Sequence, residues 1–395
     1  MDIQQIKDSV SKINDWVINV RRDFHMHPEL GGEEFRTSKK IQECLSELGI
    51  PWKLSAYDTG VIGIIEGKQP GKVVALRADI DALPMDDRKV DCAYASTIPG
   101  IMHACGHDAH TAVLLGVAKV LNDNKHKFSG SVKLFFQPAE ENIGGAKKMI
   151  ELGCMENPRV DYVLGWHTEN LQPFATIGLI PGKTCAAIDD VRITVRGKQS
   201  HGAYPHTGID AILIASQLVV ALQSVVSRSV DPLDSVVLTI GQMNGGTADN
   251  IICDEVVLSG TLRTLTKEKR GEVVERIKAI CESLCLGFGG SCLAEINADY
   301  PALFNDPAII DKIARNSEVL GFKNYFIPQP EMGGEDFSYF ADCAPSGFFT
   351  IGTWNPAYGE PRNAHEDNFD IDDSVLRMGV ELQVLNVLTL LRQSD

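Results

Sequence analysis

Ile101-Met102-His103-Ala104-Cys105-Gly106-His107-Asp108-Ala109-His110 runs without a break into Thr111-Ala112-Val113-Leu114-Leu115-Gly116-Val117-Ala118. The first ten residues hold three histidines, a cysteine and an aspartate. Thiolate, imidazole and carboxylate are the common protein ligands of zinc-like cations. The stretch that follows is almost wholly apolar and reads as a buried helix. A donor-rich turn that opens a buried helix is one half of a strand–turn–helix unit. Gly106 allows an unusual backbone angle in that turn, and Asp108 is placed to cap the helix.

Working outward, strands lie on both sides. Residues 61–65 and 72–76 are apolar runs, and the second leads directly into Arg77-Ala78-Asp79-Ile80-Asp81-Ala82-Leu83-Pro84. Residues 132–136 and 161–165 are two more, with a helix near 145–152 between them. Upstream, residues 3–22 form an amphipathic helix that Phe24-His25-Met26-His27-Pro28 and the glycines Gly31 and Gly32 interrupt. His25 and His27 sit in that turn and read as structural. A second helix over 34–48 stops at Gly49 with Pro51 behind it. Apolar strands alternating with helices predict an α/β fold, with a largely parallel sheet covered by helices on both faces.

The pattern changes after Gly182. Val191-Arg192-Ile193-Thr194-Val195 alternates apolar with polar, as a half-exposed strand does. A helix over 210–228, strands over 235–242 and 255–265, a helix over 267–286 and a strand over 291–297 follow. The order β-α-β-β-α-β is that of a ferredoxin-like α+β unit. Near Tyr300 the chain returns to the first pattern, with a helix over 307–320, a strand over 348–352 and a closing helix over 373–392. The expected division is therefore a catalytic domain of residues 1–182 and 299–395, with residues 183–298 inserted.

Composition narrows the possible functions. A chain of 395 residues exceeds a single core. A formal net charge of −16 argues against nucleic acid and against anionic membranes. No apolar run is long enough to span a bilayer. The polar amphipathic start lacks the form of a signal peptide, so a cytoplasmic location is expected. In a reducing compartment the 10 cysteines act mostly as small buried hydrophobes. Cys281, Cys285 and Cys292 are loosely spaced and lack nearby histidines; Cys105 is the exception.

Ligands in open α/β sheets bind beyond the carboxyl ends of the strands. Asp79 and Asp81 follow the strand at Val73, Glu140 and Glu141 follow the strand at Val132, and His167 follows the strand at Tyr162. The Cys105–His107 turn belongs to the same rim. Taken singly, Asp79 serves as a cap, Glu140 and Glu141 as solvated charges and His167 as a core histidine. At successive strand ends those separate roles fit poorly. Paired glutamates suit metal-assisted hydrolysis, where one binds a cation while its neighbour stays free to accept a proton.

The sequence resembles amidohydrolases of the hippurate hydrolase and aminoacylase type. Plant hydrolases of auxin–amino acid conjugates belong to the same group, within the dinuclear metallopeptidases of family M-twenty, subfamily D. The likeness is carried by Arg77 to Pro84, His103-Ala104-Cys105-Gly106-His107-Asp108, Gln137-Pro138-Ala139-Glu140-Glu141 and Gly333-Gly334-Glu335-Asp336-Phe337. It implies Cys105, His107, Glu141, His167 and His365 as ligands of two divalent cations per chain. Manganese or zinc come first, with cobalt or nickel also compatible. It implies Glu140 as general base and Asp81 as the aspartate that orients a ligand or the base. Asp79 stands where the wider superfamily has a ligand histidine, and is left out of the ligand set. The inserted domain resembles a dimerisation lid. That implies a homodimer or homotetramer, His201 reaching a substrate carbonyl, and Asn250 and Arg263 holding a substrate carboxylate. The implied activity is hydrolysis of N-acyl amino acids. A dipeptidase or carboxypeptidase using the same site, or a non-enzymatic small-molecule binding protein on the same fold, are the alternatives.

Overall fold

The computed structural model describes residues 1–90 and 92–392. They fall into two compact units, one of Met1–Gly182, Phe304–Gln329 and Asp336–Asp395, the other of Lys183–Leu303 and Pro330–Glu335. Residues 299–303 and 330–335, expected in the first domain, thus belong to the second unit. The backbone explains why. Asp299 N–H donates to Ile188 O at 3.0 Å, Ala186 N–H to Gly333 O at 3.0 Å and Glu331 N–H to Thr184 O at 2.9 Å.

The first unit is built on an eight-stranded sheet. Its order is Trp52–Leu54, Val61–Glu66, Ser131–Gln137, Val73–Asp79, Tyr162–Glu169, Ser346–Gly352, Thr176–Leu179, Lys323–Phe326. The four middle strands, from Ser131–Gln137 to Ser346–Gly352, run parallel. Val61–Glu66 and Thr176–Leu179 flank them antiparallel, so the sheet is mixed toward its edges. Val73–Asp79 is buried at every residue, as a central strand covered on both faces must be. The short strands Trp52–Leu54, Thr176–Leu179 and Lys323–Phe326 offer too few residues for a periodic signal.

The first helix, Ile3–Met26, is longer than the expected 3–22 because Asp23, Phe24, His25 and Met26 continue it. Asp2 starts it: its side chain accepts from Gln5 N–H, and the Gln5 side chain returns to the Asp2 amide. Ile6, Val10, Ile13, Val17, Val20 and Phe24 line its buried face at helical spacing. This helix packs with His107–Asp123 and Ser374–Leu391, and the last two rest on Val73–Asp79. Gly145–Glu151 and Ser338–Ala341 pack on each other and on Ser131–Gln137 and Ser346–Gly352 respectively.

Among the described residues two helices are, by length and composition, long and apolar enough to cross a bilayer, contrary to the sequence reading: Ala211–Ser229 and Ser374–Leu391. Ser374–Leu391 is 72% buried. It is mostly apolar and packs within its own unit, with Glu381, Gln383 and Asn386 buried beside its apolar residues.

The second unit carries a four-stranded antiparallel sheet in the order Val236–Gly245, Glu255–Thr264, Ala187–Arg196, Ser291–Ala298. The first and last strands of the chain order are neighbours, which is the split β-α-β arrangement. Helices Ala211–Ser229 and Lys267–Gly287 pack on this sheet and on each other. Asp210 and Thr266 cap them through their side chains. Cys281 and Cys285 lie in this core, with Cys292 packed against it.

Candidate metal centre

Four segments of the first unit meet at the carboxyl ends of its central strands. Cys105 and His107 flank Gly106, whose φ is +87°. A Cβ there would collide with the Thr168 side chain, so the turn requires glycine. Glu140 and Glu141 follow Ala139, which is held at φ +57°. His167 lies inside Tyr162–Glu169, a strand that runs further than the expected 161–165. His365 has φ +65°, and its N–H donates to Ala104 O at 2.8 Å. Left-handed backbone at non-glycine residues costs of order 1–3 kcal/mol each and gathers at functional sites.

The donor atoms converge. Cys105 Sγ is 3.4 Å from His167 Nε2, and Glu141 Oε1 is 3.3 Å from His365 Nε2 and 3.9 Å from His107 Nε2. One ligand atom each of Cys105, His107 and Glu141 lies within 4.8 Å of the others. The histidine tautomers follow from the neighbours of each Nδ1. His107 Nδ1 stands 3.0 Å from Asp81 O and 3.1 Å from Asp81 Oδ1, and His167 Nδ1 stands 2.7 Å from Thr168 O. With those protons committed to oxygen, each Nε2 offers a lone pair to the centre. His107 Nε2 and Glu141 Oε1 are buried without a hydrogen-bond partner. Unpaired buried polar atoms are costly and rare. A sulfur, three imidazole nitrogens and a carboxylate with such orphaned atoms fit a divalent cation site. Burial pushes the Cys105 thiol up, and a coordinated cation reverses that, since a ligating thiol is deprotonated.

Beneath the donors lies a buried polar layer. Asp79 contacts Arg77 Nη1 and His110 Nδ1, each at 2.6 Å, and His110 Nε2 accepts the Thr168 N–H at 3.0 Å. Both nitrogens of His110 are thereby used, and burial lowers it to about 4. Asp79 Oδ2 is 3.7 Å from His107 Nε2. Against the cost of burial, Arg77, His107 and His110 hold its carboxylate well below the usual range. Arg77 Nη2 and Gln137 Nε2 both donate to Asp336, at 2.8 and 2.7 Å.

Asp108 does not cap its helix. Its Oδ2 takes Arg21 Nε at 2.9 Å and His25 Nδ1 at 2.8 Å, and no side chain caps His107–Asp123. His25 Nε2 in turn meets Lys89 Nζ at 2.6 Å, so this histidine is a buried structural link.

Two carboxylates frame the paired glutamates. Asp81 Oδ2 accepts the Glu141 N–H at 3.0 Å, and Glu34 Oε1 accepts the Ala139 N–H at 2.8 Å. Sequence reasoning passed over Glu34, whose only signal was an acidic residue at the start of a helix beside Gly31-Gly32.

In the second unit, His201 and Asn250 come together while Arg263 stays apart. Gly202 N–H donates to Asn250 O at 2.7 Å, and His201 pairs with Ile251. His201 is exposed, and its Nδ1 accepts the Ala203 N–H at 3.0 Å, which leaves the proton on Nε2. Arg263 lies near the far end of Glu255–Thr264 from Glu255, roughly 26 Å along it at the usual strand rise. There it donates to Met332 O at 3.3 Å.

The sequence profile described as peptidase family M20/M25/M40 matches residues 75–387. "Thermostable carboxypeptidase 1" of Saccharolobus solfataricus is 38% identical over 381 residues, covering 95% of this chain and 96% of that protein. "N-acetyl-L-cysteine deacetylase" of Bacillus subtilis is 40% identical over 380 residues, covering 95% and 89%. The crystal structure of Bacillus subtilis YXEP protein, described as a dinuclear metal binding peptidase from the M20 family, superposes with a TM-score of 0.86. It is 32% identical and covers 97% of this chain and 100% of that one.

Proposed function

Because the chain belongs to peptidase family M20/M25/M40 and is a metal-dependent hydrolase, we propose that it cleaves the amide bond of N-acyl amino acids. The observation that carries the metal-dependent part of this reading is the convergence of Cys105, His107 and Glu141, one ligand atom of each within 4.8 Å of the others. Two divalent cations, manganese or zinc before cobalt or nickel, would be held by Cys105, His107, Glu141, His167 and His365. When bound, they supply a water of lowered pKa and polarise the scissile carbonyl.

The side chains of the protein divide the remaining work. Glu141 turns toward Cys105 and His107, while a Glu140 oxygen lies within 4.8 Å of Asp336. Glu140 is left to accept the proton of the attacking water and return it to the departing nitrogen. Asp81 fixes the His107 tautomer and the Glu141 backbone. His201, with its proton on Nε2, donates to the developing oxyanion. Within one chain Asn250 and Arg263 stay apart, so they hold one substrate carboxylate, for which the guanidinium fork is suited, only when they come from two copies of the chain. The second unit also supports dimer formation. Its helix Ala211–Ser229 is 33% buried and exposes Ile212, Leu213 and Val220.

The similarity to a carboxypeptidase favours one second reading, cleavage of peptides from a free carboxyl end by the same site. A hydrolysis panel decides between them. Apoprotein is loaded in turn with manganese, zinc, cobalt or nickel and offered N-acetyl, N-benzoyl and indolylacetyl amino acids beside dipeptides and tripeptides. The N-acyl amino acids are expected to be cleaved fastest. Preference for peptides would move the assignment to the carboxypeptidase reading, and no turnover with any cation would end both.

A further inference from the structure

Ala139 stands at φ +57°, in the region that L side chains avoid. Asn or Asp at such a position would bond its own backbone, but alanine has nothing to bond with. The conformation persists only if its surroundings hold it. The Gly144 and Gly145 N–H groups hold the Ala139 carbonyl at 3.0 and 3.1 Å, and Glu34 holds its amide. Its Oε1 accepts the Ala139 N–H at 2.8 Å and its Oε2 accepts the Thr59 hydroxyl at 2.8 Å. Glu34 and Thr59 are fully buried. A second tie joins the same two segments, Asn142 Nδ2 to Gly31 O at 3.1 Å. On the other side of Glu140, the Glu141 N–H goes to Asp81 at 3.0 Å. Glu140 is therefore suspended between two amides, each fixed by a buried carboxylate from a distant part of the chain. Burial also pushes Glu34 up to about 6. Its ionised form is kept there at a cost to folding, as groups retained for function often are.

We propose that Glu34 is a positioning residue for hydrolysis, holding the left-handed Ala139 turn that aims Glu140, without itself touching substrate or cation. The inference rests on the reading of Glu140 as the base. A purely structural tether would predict something different: lost stability or lost metal, with unchanged turnover per loaded site.

The test compares wild type, Glu34→Ala, Glu34→Gln and Glu34→Asp, each loaded with manganese, with Glu140→Ala in parallel. Metal stoichiometry, Tm, kcat and KM on the best N-acyl amino acid of the panel, and amide hydrogen exchange of residues 138–142 are measured. In Glu34→Ala the kcat is expected to fall roughly 10- to 100-fold, the loss typical of a catalytic group displaced by about 1 Å. KM and metal content should stay near wild type, and exchange at 138–142 should quicken. Glu34→Gln keeps an oxygen for the Ala139 N–H, and the Thr59 hydroxyl can turn to accept from its amide, so kcat should recover to near wild type. Glu34→Asp keeps the charge but is a methylene short, and should resemble Glu34→Ala; it serves if the alanine variant does not fold. A wild-type kcat in both Glu34→Ala and Glu34→Asp, or a loss matched by lost metal, would overturn the proposal. If wild type cleaves no substrate, the functional reading fails by itself. The exchange of 138–142 then decides for Glu34, and unchanged exchange in the variants would overturn it.

Discussion

Asp81 Oδ2 accepts the backbone N–H of Glu141 at 3.0 Å. The same carboxylate places Oδ1 at 3.1 Å from His107 Nδ1, so one side chain sets the tautomer of one donor and the backbone of another. Replacing a partner of this kind typically weakens metal binding 10–100-fold. Asp81→Ala is therefore expected to lower affinity by about that factor, measured by chelator competition. Asp81→Asn should lose less, because its amide oxygen can still accept one of the two N–H groups. Wild-type affinity in Asp81→Ala would remove Asp81 from this role.

Cys105→Ala removes the only sulfur among the candidate donors, next to His167 at 3.4 Å. Metal content per chain after dialysis is expected to fall while the fold persists, read by elemental analysis beside circular dichroism. An unchanged metal count would take Cys105 out of the ligand set.

Glu140→Ala should behave in the opposite way. General bases contribute typically 10²–10⁴-fold, so turnover should drop by about that factor with full metal content retained. Turnover near wild type would refute the assignment of the base.

The central architecture was legible because it rests on local patterns. The apolar runs at Val73, Val132 and Tyr162 alternate with helices, and the observed strands Val73–Asp79, Ser131–Gln137 and Tyr162–Glu169 lie within a few residues of the expected ones. The helix Pro307–Leu320 was legible to the residue, since Asp306-Pro307 and Gly321 punctuate its ends. What escaped detection depends on pairs far apart in the chain. Glu34 and Ala139 are 105 residues apart, and Arg77 and Asp336 are 259 apart. No spacing rule connects them. Asp108 has the form of a helix cap in sequence, but Arg21 and His25 compete for its carboxylate and win. His110 resembles its neighbour His107 in sequence, and only the contacts with Asp79 and Thr168 show that its nitrogens are already committed.

Gly106→Ala tests the turn itself. A Cβ would meet Thr168, and φ is +87°. Destabilisation of about 1–3 kcal/mol is expected from the backbone alone, with weaker metal binding as Cys105 and His107 shift. Urea unfolding of the apoprotein reads the first effect and chelator competition the second. A variant as stable as wild type would mean the turn tolerates another conformation.

Stability should carry a pH signature of Glu34, which sits at about 6 in the folded chain against a reference of 4.5. Between those values the native state binds more protons than the unfolded state. The contribution of this group is therefore fully present below pH 4.5 and is lost as pH rises through 6. Glu34→Gln lacks the titration. The stability of wild type relative to Glu34→Gln should thus fall by about 2 kcal/mol between pH 4.5 and pH 7. Urea unfolding of both proteins at the two pH values measures it, and a difference independent of pH would contradict the raised pKa.

The most direct measurement is anomalous X-ray scattering from crystals loaded with manganese or zinc. The expected result is two peaks enclosed by Cys105, His107, Glu141, His167 and His365, with Glu140 beside them and bound to neither. Peaks elsewhere in the molecule, or Glu140 in direct contact with a cation, would contradict it.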